Sequence, residues 1–187
     1  GLFDVIGARS GLDEPASMEL LQERLEDLCG AYDREAAPYR FVAAELLRIG
    51  MRDLFEFAGV KEVGEELTNV AEVCVKHVLD RATAGVVKRY GDPGGAFAVL
   101  GAGKFGGREL GYGSDLDLVF VYEEEKSAES SVSSIEYYTA LSSKLLRTLK
   151  EPTRYGILYD VDARLRPDGK KGVLAVTASR MRDYYRN

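Results

Sequence analysis

Two short runs of this sequence set carboxylates at strand spacing: Ser114-Asp115-Leu116-Asp117-Leu118 and Tyr159-Asp160-Val161-Asp162-Ala163-Arg164-Leu165-Arg166. Side chains alternate along a strand, so Asp115 and Asp117 leave the same face, roughly 7 Å apart along the backbone. Two carboxylates that close repel each other, and a cation relieves the repulsion. Hard oxygen ligands in this number suit Mg²⁺, which takes one or two carboxylates and fills its octahedron with water and substrate phosphates. Upstream, Gly103-Lys104-Phe105-Gly106-Gly107 can form a tight turn whose N–H groups make an anion-binding concavity, with Lys104 adding a point charge. Read as a strand, the second run puts Asp162, Arg164 and Arg166 on one face and Val161, Ala163 and Leu165 on the other. The acid would complete a metal shell, and the two guanidiniums would grip phosphate oxygens in a fork. An Asp pair alone is often a solvated strand end, and a glycine turn alone is common. Here they stand twelve residues apart, Gly103 to Asp115, with an apolar run after the aspartates. Together they predict a metal–nucleotide site.

Other chemistries fit less well. Gly101-Ala102-Gly103-Lys104-Phe105-Gly106 matches a dinucleotide fingerprint, and Glu123 falls near the place of a ribose-binding acid. Only nine residues, Gly107 to Asp115, separate its last glycine from the next strand, too few for a crossover helix. No GxxxxGK[ST] loop occurs. His77, the single histidine, sits in a helical stretch and argues against histidine-based nucleophilic or zinc chemistry. Cys29 and Cys74 lack CxxC spacing and read as buried, reduced thiols of a cytosolic protein. The pairs Tyr137-Tyr138 and Tyr184-Tyr185 read as core and interface packing, and Glu123-Glu124-Glu125 as a solvated loop.

The elements that must position these residues follow from periodicity and punctuation. Helices are predicted from Ser17, as N-cap, to about Ala31, from Tyr39 to Phe55 and from Lys61 to Tyr90. Their apolar sides are Met18, Leu21, Leu25 and Leu28; Phe41, Val42, Leu46, Ile49 and Leu54; and Leu67, Val70, Val73, Val78 and Val86. After the turn cluster at 91–95 the texture changes. Strands are predicted over 96–100 and 116–122, a helix over about 135–150, an extended run over 156–167, a turn at 168–172 and a last strand over 173–177. Residues 1–16 read as an irregular lead-in. Helices followed by a small sheet make this an α+β chain, with a helical lead-in over 1–90 and a catalytic core over 91–187. At 187 residues and 45% hydrophobic it can bury a sizeable core, and no apolar run approaches a membrane span. The net charge of −6 disfavours a general nucleic-acid binder. Residues 147–187 nevertheless hold ten basic and five acidic side chains, a local +5 that leaves −11 on residues 1–146. That asymmetry suggests a local anion site, such as one for a triphosphate. Opening on Gly1 and ending in open sequence, the chain reads as a piece of a longer protein.

The stretch Gly101 to Leu110, then Ser114 to Phe120, resembles the signature of the bacterial glutamine synthetase adenylyltransferase/deadenylylase family, of the DNA polymerase beta-like nucleotidyltransferase superfamily. Leu158 to Pro167 is similar to that family's second signature. Glu45-Leu46-Leu47-Arg48-Ile49 and Arg52-Asp53 look like its segment before the catalytic core. The resemblance implies a small mixed sheet flanked by helices, two Mg²⁺ ions and ATP as substrate. It also implies transfer of AMP to a tyrosine of glutamine synthetase, in regulation of nitrogen assimilation. Asp115, Asp117 and Asp162 would be catalytic and metal-binding, with Asp162 also accepting the tyrosine proton. Gly103, Lys104, Gly106, Gly107, Ser114, Arg164 and Arg166 would bind nucleotide. The wording of Glu109 to Asp115 and Leu158 to Arg164 is closer to the C-terminal, adenylylating half than to the half that removes AMP by phosphorolysis. Asp168 departs from the family pattern, and the helical region that follows the core in the family is missing. The resemblance leaves room for a nitrogen-signalling regulatory protein acting through the rest of the full-length enzyme. Two other readings stay open. One is a non-catalytic nucleotide-binding module, which the intact acids disfavour; the other is a different superfamily member, such as a uridylyltransferase, which the helical lead-in disfavours.

Overall fold

The computed structural model describes residues 12–125, 129–167 and 169–186. The expected lead-in at 1–11, the 126–128 part of the acidic loop, Asp168 and Asn187 lie outside the described residues. In chain order the elements are α1 (Met18–Ala31), α2 (Ala37–Leu54), α3 (Val60–Tyr90), β1 (Phe97–Ala102), α4 (Gly103–Gly106), β2 (Leu116–Tyr122), α5 (Ser134–Lys150), β3 (Val161–Asp162), a 3₁₀ turn (Gly169–Lys171), β4 (Ala175–Thr177) and α6 (Ala178–Arg186). The fold is α+β, as the element pattern predicts. No helix among the described residues is long and apolar enough to cross a membrane.

Two compact units result, and their boundary does not fall at one point in the chain. The first gathers the described residues up to Lys76 with 107–114 and 152–158. Ser17 caps α1, accepting from Leu20 N–H at 3.2 Å. Leu21, Leu25, Leu28, Phe41, Val42, Ile49, Val63, Leu67 and Val70 form the core. The apolar side of α2 is the predicted one at Phe41, Val42 and Ile49 but not throughout. Leu46 and Leu54 are exposed, while Glu45, Arg48 and Arg52 are buried. The reason is ionic: Arg48 Nε reaches Glu45 at 2.7 Å, and Arg52 Nε and Nη2 reach Glu66 at 2.8 Å and Glu62 at 2.6 Å. Such a network tolerates burial because each charge meets its opposite. The 107–114 segment packs on α3 at Gly64, where a Cβ would stand 3.2 Å from Glu109 Cα.

The second unit holds His77–Gly106, Asp115–Glu151 and the described residues from Tyr159. Its sheet is mixed: β1 pairs antiparallel with β2, while β3 and β4 pair parallel with β2, at its start and its end respectively. Leu116, Leu118, Val119, Phe120 and Tyr122 of β2 are all buried, as a central strand should be. Helix α5 begins with a capping box between Ser133 and Glu136 and buries Tyr137, Tyr138, Leu141, Leu145 and Leu149. Tyr138 stacks on Tyr122 and Phe97, with centroids 4.7 and 5.4 Å away. The Tyr137-Tyr138 pair is therefore core, as expected. Tyr184 and Tyr185, on the unpredicted helix α6, are instead exposed. Cys74 is buried, its thiol pushed up by desolvation, and Cys29 is half-buried.

Candidate metal and nucleotide site

Backbone pairing places the carboxylates. In the parallel ladder Asp117 stands opposite Asp162, and in the antiparallel ladder Ala102 stands opposite Asp117. Leu116 N–H donates to Asp160 O at 2.9 Å and fixes where β3 begins. Because Gly103 is the first residue past β1, the glycine turn opens directly against Asp117. Asp115 lies one residue before β2. Ligand oxygens of Asp115, Asp117 and Asp162 all fall within 4.8 Å of one another.

The glycines of the turn have separate reasons. Gly103 adopts φ +52°, and a Cβ there would sit 2.2 Å from Asp117 Oδ2. Only glycine both reaches this backbone conformation cheaply and leaves the carboxylate open. At Gly106 a Cβ would meet Gly101 O at 2.6 Å, and at Gly101 it would meet the Phe105 ring at 2.8 Å. Those two glycines let α4 fold back on the end of β1. Lys104 is exposed on that helix.

Charge divides the three acids. The Asp117 carboxyl is held above the ordinary range, first by partial burial, then by the charges of Asp115 and Asp162, with Arg164 opposing. Asp162 is held down to about 2, chiefly by hydrogen bonding from Arg164. The Arg164 Nε lies 2.8 and 2.6 Å from the two Asp162 oxygens, its Nη2 also contacts Oδ2, and its backbone N–H donates to Oδ1 at 2.8 Å. One guanidinium among three carboxylates leaves the cluster net negative and Asp117 reluctant to ionise. A divalent cation is the group that corrects both. An all-oxygen donor set suits Mg²⁺ rather than a softer metal. The residues fit.

A cleft of about 570 Å³ adjoins the acids, lined by Asp115, Asp162, Arg164, Arg166, Lys150 and Asp160 among others. That volume is ample for a nucleotide. The expected face of Asp162, Arg164 and Arg166 is only partly realised, because β3 ends at Asp162. Beyond it the chain turns, with Arg166 N–H donating to Arg164 O at 2.8 Å and the Arg166 Nη1 bonding Ala163 O. The Arg166 Nε is buried without an acceptor among the described residues, a donor that an anion would satisfy. Gly107 and Ser114 fold with the first unit, where Ser114 Oγ accepts from Gly111 N–H at 3.1 Å. Lys150 and Asp160 are additional charged residues of the cleft. Neither was singled out in the sequence: Asp160 adjoins the acidic motif, which could have pointed to it, whereas Lys150, eleven residues upstream of Val161, carried no signal.

A family model described as glutamate-ammonia ligase adenylyltransferase matches residues 4–187. Members of that family are adenylyltransferases, and they act on glutamine synthetase. With that match across nearly its whole length, the chain belongs to the glutamate-ammonia ligase adenylyltransferase family.

Proposed function

We propose that this chain transfers AMP from ATP to a tyrosine hydroxyl of glutamine synthetase, using Mg²⁺ held by Asp115, Asp117 and Asp162. The observation that carries the reading is the convergence of these three acids beside the Gly103 turn. When bound, two Mg²⁺ ions would neutralise the triphosphate and stabilise the entering and leaving oxygens. The Gly103 turn and Lys104 take up the β- and γ-phosphates, while Arg164 and Arg166 balance charge as pyrophosphate departs. The tyrosine oxygen bonds to the α-phosphorus, the bond from that phosphorus to the bridging oxygen breaks, and the tyrosine proton passes to Asp162. A carboxyl held near 2 is a poor base. Taking the proton therefore requires an Asp162 oxygen that neither the ion nor Arg164 occupies, which Arg164 frees by turning toward phosphate.

The mixed four-stranded sheet and the acids on its adjoining strands support the DNA polymerase beta-like superfamily assignment. Cys29 and Cys74 form no disulfide with each other, which supports a cytoplasmic setting, and regulation by nitrogen status through a signalling protein follows the family resemblance. The direction rests on the wording of the two motifs, which favours adenylylation. The test supplies the chain with Mg²⁺, labelled ATP and unmodified glutamine synthetase, and in parallel with adenylylated glutamine synthetase and inorganic phosphate. Label transfer in the first mixture, lost in Asp117→Asn, is expected. Release of ADP in the second mixture alone would assign the deadenylylating half.

A further inference from the structure

Strand β3 delivers the third acid, yet it is only two residues long, Val161–Asp162. Its β2 side is fixed by the Leu116 and Asp117 pairings. On a strand this short, little ladder remains to hold the peptide plane that carries Asp162. Lys150, the last residue of α5, supplies another tie. Its Nζ donates to Val161 O at 2.7 Å and lies 3.3 Å from Asp160 Oδ1. Asp160 Oδ1 in turn accepts from Val161 N–H at 2.8 Å. Both polar groups of Val161 are thereby held by one small cluster. Val161 O belongs to the same peptide unit as Asp162 N, so fixing it fixes the backbone from which the third carboxylate projects.

We infer that Lys150 is a positioning residue, whose hydrogen bond to Val161 O sets Asp162 for metal binding. The inference rests on the proposed Mg²⁺ role of the acids and deepens it. Its sign separates it from bare electrostatics. An ammonium beside the site repels a divalent cation, so deleting the charge should by itself tighten metal binding. Losing a support behind a ligand should weaken it, typically by 10- to 100-fold.

The experiment titrates Mn²⁺, as a paramagnetic substitute for Mg²⁺, into the full chain and its variants, reading free Mn²⁺ by electron paramagnetic resonance. Melting temperatures are recorded for the metal-free proteins. Lys150→Met should weaken Mn²⁺ binding at least tenfold with an unchanged melting temperature, and Lys150→Arg, which keeps donor and charge, should restore most of it. Unchanged or tighter binding in Lys150→Met overturns the inference, as does a loss that Lys150→Arg fails to recover. Should Lys150→Met lower the melting temperature, the arginine variant alone decides: near-native affinity supports positioning, and Met-like affinity overturns it. Asp117→Asn serves as the separate control. If the unmodified chain binds no more Mn²⁺ than Asp117→Asn, the metal reading itself fails, and the Lys150 inference fails with it.

Discussion

The two units treat charge in opposite ways. In the first, Glu45, Arg48, Arg52 and Glu66 are nearly inaccessible, and opposite charges meet within 2.6 to 2.8 Å. In the second, three carboxylates of one sign crowd within 4.8 Å beside a cleft, with Asp115 exposed and the other two partly so. The first arrangement balances its charges by internal pairing. The second keeps an excess of negative charge that the Arg164 fork offsets only in part, and the proposed Mg²⁺ would offset the rest. Burial with pairing marks structure; crowding of like charge at an opening marks a ligand site.

Substitutions should separate these two behaviours. The largest effect is expected from Asp117→Asn, which should lower AMP transfer by at least about 10³-fold, a loss of roughly 4 kcal/mol in the transition state. The same change removes a like charge, so the melting temperature should hold or rise. A fall in stability would place Asp117 with the structural charges instead. Arg52→Met should do the reverse. Removing a guanidinium that is wholly buried leaves Glu66 with Arg48 as its remaining buried arginine partner, and urea unfolding should show a loss of about 3 kcal/mol. A loss under about 1 kcal/mol would deny the network its structural role.

Gly103→Ala sharpens the boundary of the site. Its Cβ would press on Asp117 Oδ2 from a backbone that disfavours side chains. Transfer should fall roughly 10²-fold through displacement of the acid, with about 1–2 kcal/mol of stability lost. The smallest effect is one of pH. Asp162 has its folded-state pKa depressed to about 2, below an unfolded value of about 3.9. Its contribution to stability is therefore complete above about pH 4 and is lost as pH falls through about 2. Carboxyl-carbon NMR titration of Arg164→Gln should return Asp162 toward the ordinary range. The shift should also shrink with added salt, because Arg164 is largely exposed. A titration unmoved by the substitution would break the pairing.

Much of this was legible in the residues. The apolar run of β2 and the Leu21, Leu25 and Leu28 spacing follow from burial alone. The glycine turn and the aspartates announced themselves by type and spacing. What escaped depends on tertiary ties. A two-residue strand cannot be told from a longer extended run, so Arg166 was expected beside Arg164, whereas its Nη1 bonds a backbone carbonyl of its own loop. The polar side of α2 is buried because Glu66 arrives from α3 to meet it, which periodicity within α2 cannot reveal. Lys150 acts through the Val161 carbonyl, and side-chain chemistry alone does not announce such a bond.

The most direct measurement is a crystal structure of the chain with Mg²⁺ and a non-hydrolysable ATP analogue. The account predicts ions ligated by Asp115, Asp117 and Asp162, with the triphosphate lying against the Gly103 turn and Arg164 released from Asp162. Nucleotide bound elsewhere, or ions that leave Asp162 in its fork with Arg164 and uncoordinated, would contradict it.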